Sequence, residues 1–151
     1  MYSKYRKGLL SDYRTIESQH SAIKEILSQL SASAKAENLD ISSTMIALDE
    51  LQELTDAHFL HEEKVMQLIK YSMACEHLDH HFAFRFEMAF QRSKYLKHDN
   101  ESIGNFVEFV RIWLDSHDKA HDIPLQEFIS ETLGTAAKKR PVPLGSATTA
   151  P

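Results

Sequence analysis

Residues 55–69 read TDAHFLHEEKVMQLI, and two polar side chains, His58 and Glu62, stand where apolar residues would continue a helical stripe. Over residues 41–69 the positions of this stripe recur every three or four residues, which is the spacing of one face of an α-helix. Its members are Ile41, Met45, Leu48, Leu51, Thr55, His58, Glu62, Val65 and Ile69. The stretch therefore predicts a long helix that carries a histidine and a carboxylate on its buried face.

Three further stretches show the same spacing. Their stripes are Leu9, Tyr13, Ile16, His20, Ile23, Leu27, Leu30; Met73, His77, His81, Phe84, Met88, Tyr95; and Ile103, Phe106, Val110, Trp113, His117. Short connections between long helices favour antiparallel neighbours. We predict an all-α fold, an up-down-up-down antiparallel four-helix bundle over residues 1–134. A short amphipathic helix after Pro124 should cap one end, and the polar, proline-containing residues 135–151 should form a disordered C-terminal tail.

Composition excludes several classes of protein. The 151 residues include only four glycines and four prolines, too few for a fold of many short strands. The net charge is −5 and no basic cluster alternates with aromatic residues, which argues against nucleic-acid binding. No apolar run is long enough for a signal peptide or a membrane span. A single cysteine, Cys75, excludes an internal disulfide framework, and we expect a cytoplasmic protein and favour a monomer.

Six polar residues on these stripes predict a metal site. They are His20, His58, Glu62, His77, His81 and His117. One core histidine is usually hydrogen-bonded to a neighbour, but six buried polar groups left unpaired would each cost roughly 1–3 kcal/mol. A total stability of roughly 5–15 kcal/mol cannot absorb that cost, whereas a cation gives every nitrogen and oxygen a partner. The spacing of four in His58/Glu62 and in His77/His81 places each pair on one helix face.

A carboxylate on the fourth helix is harder to choose. Asp122 stands five residues after His117 and would point about 140° away from it in a regular helix. Pro124 predicts that the helix ends at Asp122, which would let this carboxylate turn back toward the site. His121 is in better phase with His117, and Asp118 is adjacent to it, so spacing alone leaves the choice open.

Four stretches resemble the hemerythrin family, most closely its bacterial members. They are IESQH ending at His20, HFLHEEKVM from His58, HLDHH from His77 to His81, and WLDSHDKAHD from Trp113 to Asp122. The resemblance implies that His77, His81 and His117 ligate one iron and that His20 and His58 ligate a second. Glu62, Asp122 and an oxo or hydroxo group would bridge these two Fe ions. The family's myohemerythrin is itself an up-down bundle.

The same resemblance implies reversible dioxygen binding at the iron with two histidines, which has one ligand fewer, for storage, delivery or scavenging. Leu114, Trp113 and Phe59 would wall the oxygen pocket. The partners would be dioxygen and an oxygen-consuming enzyme, and we expect no enzymatic activity of the protein itself. Alternatives are an oxygen- or redox-sensing module that acts on a partner, or nitric-oxide handling, peroxide handling or iron repair.

Other polar residues receive simpler interpretations. Asp118 stands where the family usually has an apolar residue, so access or redox behaviour near the adjacent iron should differ. His61, His80, His98 and His121 are interpreted as surface residues or as supports of the site. Glu63 should point about 100° away from Glu62 and pair in solvent with a cation such as Lys64 or Lys70.

Overall fold

The computed structural model describes residues 2–36, 40–95 and 100–134, and every regular element in these ranges is helical. Four long helices come first, and a five-residue π-helical turn then leads into a short fifth helix. The elements are α1 (Tyr2–Ala34), α2 (Ile41–Ile69), α3 (Ala74–Tyr95), α4 (Asn100–His117), the π turn (Asp118–Asp122) and α5 (Ile123–Leu133). The predicted all-α bundle with a short additional helix is confirmed. The predicted tail at 135–151 lies outside the described residues.

Neighbouring helices run in opposite directions. Between α2 and α3, Asp49 pairs with Arg92, while Glu63, almost four turns further along α2, pairs with Arg85 nearer the start of α3. Helix α1 contacts both α2 and α4, and α3 contacts the same two helices. The four helices therefore close into the predicted up-down-up-down arrangement.

The ends of α2 are set by local chemistry. Asp40 is the N-cap, and its Oδ1 accepts hydrogen bonds from the backbone N–H groups of Ser42 at 3.1 Å and Ser43 at 3.3 Å. At the other end Lys70 adopts a left-handed conformation with φ of 55°, and its N–H donates to the carbonyl of Gln67. The helix that carries His58 and Glu62 is thus held at both termini.

The prediction that the fourth helix ends at Asp122 is wrong. The backbone N–H of Ile123 donates to the carbonyl of Asp118, five residues earlier, so the chain continues through a widened π turn into α5. A turn that holds an extra residue brings Asp122 back to the face that carries His117. Pro124 lies in the first turn of α5, where its fixed φ is compatible with the helix.

Two apolar clusters form the core, and the buried histidines and carboxylates lie between them along each long helix. On α1, for example, Ile16 belongs to one cluster and Ile23 to the other, with His20 between them. Helix α5 covers the outer end of one cluster with Leu125, Ile129 and Leu133. In the described ranges no helix has both the length and the apolarity that crossing a membrane requires.

Candidate metal centre

The structure brings the seven predicted ligand residues into one buried layer. Four helices and the π turn contribute to it, and no member is more than 8% exposed. The members are His20, His58, Glu62, His77, His81, His117 and Asp122. Of the three residues that spacing left open on the fourth helix, Asp122 is the one whose carboxylate lies among the histidine rings.

Three histidines and one oxygen from each carboxylate form the first group. Nε2 of His77 lies 3.4 Å from Oε2 of Glu62, and Nε2 of His81 lies 3.3 Å from the same oxygen. Nε2 of both His77 and His117 lies 3.0 Å from Oδ1 of Asp122. One atom from each of the five residues falls within 4.8 Å of all the others, close enough to surround a single cation.

Two histidines and the remaining carboxylate oxygens form the second group. Nε2 of His20 lies 2.9 Å from Oδ2 of Asp122, and Nε2 of His58 lies 3.9 Å from that oxygen and 3.6 Å from Oε1 of Glu62. Each carboxylate therefore turns one oxygen toward the three-histidine group and the other toward the two-histidine group. Two carboxylates placed in this way can each contact a cation in either group.

Unpaired buried atoms show that the layer fits a metal. Nε2 of His58, Nε2 of His81 and both oxygens of Glu62 are buried and have no hydrogen-bond partner among the described residues. Each such group costs roughly 1–3 kcal/mol of stability, and more when it is charged. Imidazole nitrogen and carboxylate oxygen are donors that iron and other first-row transition metals accept. The donor set therefore suits a transition-metal cation.

The histidines and carboxylates of the layer shift one another's pKa values. Burial opposes ionisation of Asp122, but the rings of His117 and His20 outweigh it and hold the pKa of this carboxyl far below its usual range. Burial likewise opposes protonation of His77, but Asp122 and Glu62 raise the pKa of its imidazole to about 9. Without a metal, a proton on His77 therefore takes the place of a cation beside the two carboxylates.

Acceptors outside the layer orient two of the rings. Nδ1 of His81 lies 3.0 Å from Oε1 of Glu63, and Nδ1 of His58 lies 3.4 Å from Oε1 of Gln19. A carboxylate and an amide oxygen can only accept, so each Nδ1 carries the hydrogen and each Nε2 turns a lone pair into the layer. Glu63 pairs with a surface cation as expected, but that cation is Arg85 and not Lys64 or Lys70, and the bond of Glu63 to His81 was not foreseen.

The amide of Gln126 was also missed by sequence reasoning. Its Nε2 lies 2.6 Å from Nδ1 of His20, and it stands on α5, 106 residues further along the chain. Residue spacing contained no signal for this contact, because α5 was expected only to cap the bundle. Helix α5 therefore also contacts the predicted metal ligand His20.

The remaining histidines fall into two places. His121 is buried, with its ring centre 4.1 Å from that of His80 and 5.2 Å from that of His117. Burial, together with the nearby His80 and His117, lowers the pKa of His121 to about 4. His61 lies at the surface, 3.3 Å from Asp12, while His98 is outside the described residues. Of the histidines interpreted as surface or supporting residues, His61 therefore lies near the surface, whereas His80 and His121 lie beside the three-histidine group.

A cleft of about 620 Å³ opens between α1 and α4 and ends at the two-histidine group. His20, His58 and Asp122 line its inner end. Its apolar walls include Phe59 and Leu114, and five charged side chains also line it: Lys24, Lys35, Arg111, Asp115 and Asp118. Two of the three predicted pocket residues thus line an open path to the site.

Trp113, the third predicted pocket residue, lies elsewhere. Its ring stacks on His117 with a centre distance of 4.9 Å and packs against Phe84 at 4.4 Å. It therefore supports the three-histidine group from the side away from the cleft. Phe59 contacts both groups, because it lines the cleft and its ring also stacks on that of His81 with a centre distance of 3.8 Å.

Comparison with known families agrees with this geometry. A family model described as the hemerythrin HHE cation binding domain matches residues 11–129. The chain belongs to the hemerythrin family. The match to this hemerythrin domain begins in α1, ends in α5 and includes all seven residues of the buried layer. The same comparisons found no match among curated proteins and none among solved structures.

Proposed function

We propose that the protein binds dioxygen reversibly at two iron ions held in the buried layer. His77, His81 and His117 hold one ion, His20 and His58 hold the other, and Glu62 and Asp122 bridge the pair. The single observation that carries this assignment is the division of each carboxylate, with one oxygen toward each group of histidines. In this proposal the protein is an oxygen carrier and not an enzyme, and it supplies an oxygen-consuming partner.

The position of the cleft supports a small ligand on one side of the centre. The three-histidine group has one more nitrogen donor than the two-histidine group, so the second ion has room for an additional ligand. Of the seven residues in the layer, those that line the cleft are the two histidines of the two-histidine group, His20 and His58, and Asp122, which both groups share. The group that lacks a donor is thus the group that a molecule from solvent reaches.

Apolar residues beside this open side limit the access of water and protons. When bound, a ferrous pair would supply the electrons with which dioxygen is held and would take them back on release. Phe59 and Leu114 present apolar surface where bulk water would otherwise enter. Five neutral imidazoles in place of carboxylates leave little negative charge at the centre, which favours the ferrous state.

The proposal is tested by an anaerobic optical titration of the reduced, iron-loaded protein with oxygen, with iron counted per chain and oxygen then removed under argon. We expect two irons and a charge-transfer spectrum that appears with oxygen and disappears under argon. His58→Ala should impair oxygen binding, whereas His61→Ala is the matched control because His61 lies on the same helix and faces Asp12. Two irons that oxidise irreversibly would contradict oxygen carriage.

One observation favours peroxide turnover as a second candidate. The carboxylate of Asp118 lies in the cleft, 3.9 Å from Nε2 of His20 and 2.8 Å from Nζ of Lys24. A charged pair there brings solvent-exchangeable hydrogen bonds beside the open side of the two-histidine group. Peroxide consumption per iron well above that of free iron, and its loss in Asp118→Leu, would favour this function over oxygen carriage.

A further inference from the structure

The outer face of α3 is aromatic where the solvent side of a bundle helix is ordinarily charged. Phe82, Phe86 and Phe90 are 70%, 64% and 55% exposed, and Leu78, one turn earlier, is 39% exposed. Because these residues are spaced by four, they form a continuous ridge along the helix. The opposite side of α3 is already buried through Phe84 and Met88, so the ridge has no role in the bundle core.

The two arginines of α3 are directed toward α2. Arg85 donates to Asp56 at 3.0 Å and to Glu63 at 3.1 Å. Arg92 pairs with Asp49 and donates to Gln52 at 3.2 Å. Contact of another apolar surface with the ridge would therefore leave the hydrogen bonds of both arginines to α2 intact.

The exposed residues from Phe82 to Phe90 form a pattern that is symmetric about Phe86. Phe82 and Phe90 lie four residues on either side of it, and Ala83 and Ala89 lie three residues on either side. The half-buried and buried residues of this stretch face other directions. In an antiparallel pair of α3 helices that cross at Phe86, each Phe82 would stand opposite the Phe90 of the other copy. The alanines leave gaps into which the rings can pack.

We propose that this face is the interface of a homodimer, with two copies of α3 antiparallel and the two-fold axis at Phe86. A two-fold interface uses the same patch on both copies, and the symmetric pattern of phenylalanine and alanine is self-complementary in this sense. Ridges spaced by four in both helices interdigitate at a crossing angle of about 50°. The dimer replaces the monomer favoured from the sequence and does not depend on the proposed oxygen binding.

The area of the ridge fits this interface. A phenylalanine side chain can bury roughly 150–250 Å², so the exposed parts of the three rings together present on the order of 400 Å². That is about half of the roughly 800 Å² per partner in a standard protein interface, before Leu78 and the flanking residues are included. The largest apolar patch on a protein surface is commonly of about this size and often has a binding function.

Sedimentation equilibrium of the metal-loaded full chain tests the proposal, over about 1 to 500 µM, where an interface of modest area should associate. We expect a reversible dimer and a loss of dimer affinity of at least about a hundredfold in Phe86→Glu, which places two carboxylates together at the axis. Ile46→Glu is the matched control, because Ile46 is 61% exposed on α2, and this variant should still dimerise. Circular dichroism and metal content should be unchanged in both variants.

A cross-linking experiment tests the position of the axis. In a Cys75→Ser background, Phe86→Cys should oxidise to a disulfide dimer, because the two copies of residue 86 meet at the axis, and Ile46→Cys should not. A wild-type chain that stays monomeric over the whole range would overturn the proposal. So would a Phe86→Glu variant that dimerises like wild type, or equal cross-linking at residues 46 and 86, since the dimer would then use another face.

Discussion

Oε1 of Glu63 lies 3.0 Å from Nδ1 of His81, on the opposite side of the ring from Nε2, which faces Glu62. Adjacent carboxylates on α2 therefore act on the two nitrogens of one imidazole. Arg85 holds Glu63 in place through a bond of 3.1 Å. The result is a carboxylate–histidine pair whose free nitrogen points into the candidate metal centre.

Glu63→Ala should weaken metal binding by about 10- to 100-fold, because Nδ1 of His81 loses the acceptor that sets its tautomer and orientation. Competition with a chelator of known affinity measures the change. Glu53→Ala is the matched control, since Glu53 is an exposed glutamate on the same helix. If the two variants bind metal equally well, Glu63 does not orient the ring for a ligand.

Glu62→Ala should weaken the binding of both cations, because it removes one carboxylate oxygen from each group. His58→Ala should weaken the binding of only one cation. Metal counted per chain after gel filtration distinguishes the two outcomes: well below two for Glu62→Ala, and about one for His58→Ala if the three-histidine group keeps its ion. Glu62→Ala with two irons and normal oxygen binding would show that the bridging assignment is wrong.

Metal affinity should rise with pH up to about 9. Without a metal, burial opposes a proton on His77 but Asp122 and Glu62 raise the pKa of its imidazole to about 9, so a cation must displace that proton. One displaced proton changes the apparent affinity about tenfold per pH unit. Chelator competition between pH 6 and 9 measures the slope, and an affinity independent of pH would contradict the protonated state.

The same raised pKa has an opposite effect on the metal-free protein. A group whose folded-state pKa is raised contributes stability that is fully present below its unfolded pKa of about 6.5 and is lost as the pH rises through about 9. Urea unfolding of the metal-free protein should therefore show declining stability across this window. The metal-loaded protein, in which a cation replaces the proton, should not show that decline.

Leu114→Ala should accelerate irreversible oxidation of the oxygenated protein, because Leu114 is 7% exposed and lines the cleft to the two-histidine group. The lost packing should also destabilise the fold by about 2–4 kcal/mol. The decay of the oxygenated spectrum measures the first effect. Leu60→Ala is the control, since Leu60 is 52% exposed on α2. Equal decay rates in the two variants would show that Leu114 does not keep water away from the site.

Local periodicity was sufficient to predict the helices and the inward orientation of six of the seven residues in the buried layer. His58 and Glu62 continue the apolar stripe of α2, and because that stripe faces the core, both side chains must also face the core. Asp122 was reached through the resemblance, and the physical reason offered for it was wrong. Its position comes from the π turn, whose bond from Ile123 to Asp118 a regular helical period does not anticipate.

Contacts between distant parts of the chain account for what the sequence missed. Glu63 and His81 are 18 residues apart on different helices, and Gln126 meets His20 across 106 residues. Trp113 and Leu114 are adjacent, yet one supports His117 and the other lines the cleft. The sequence by itself determined the all-α bundle and its polar interior, because helical spacing and the cost of buried polar groups are properties of each segment. Only the tertiary structure decided how the carboxylates divide between the two groups, which side is open and which acceptors orient the rings, because these depend on how separate helices pack.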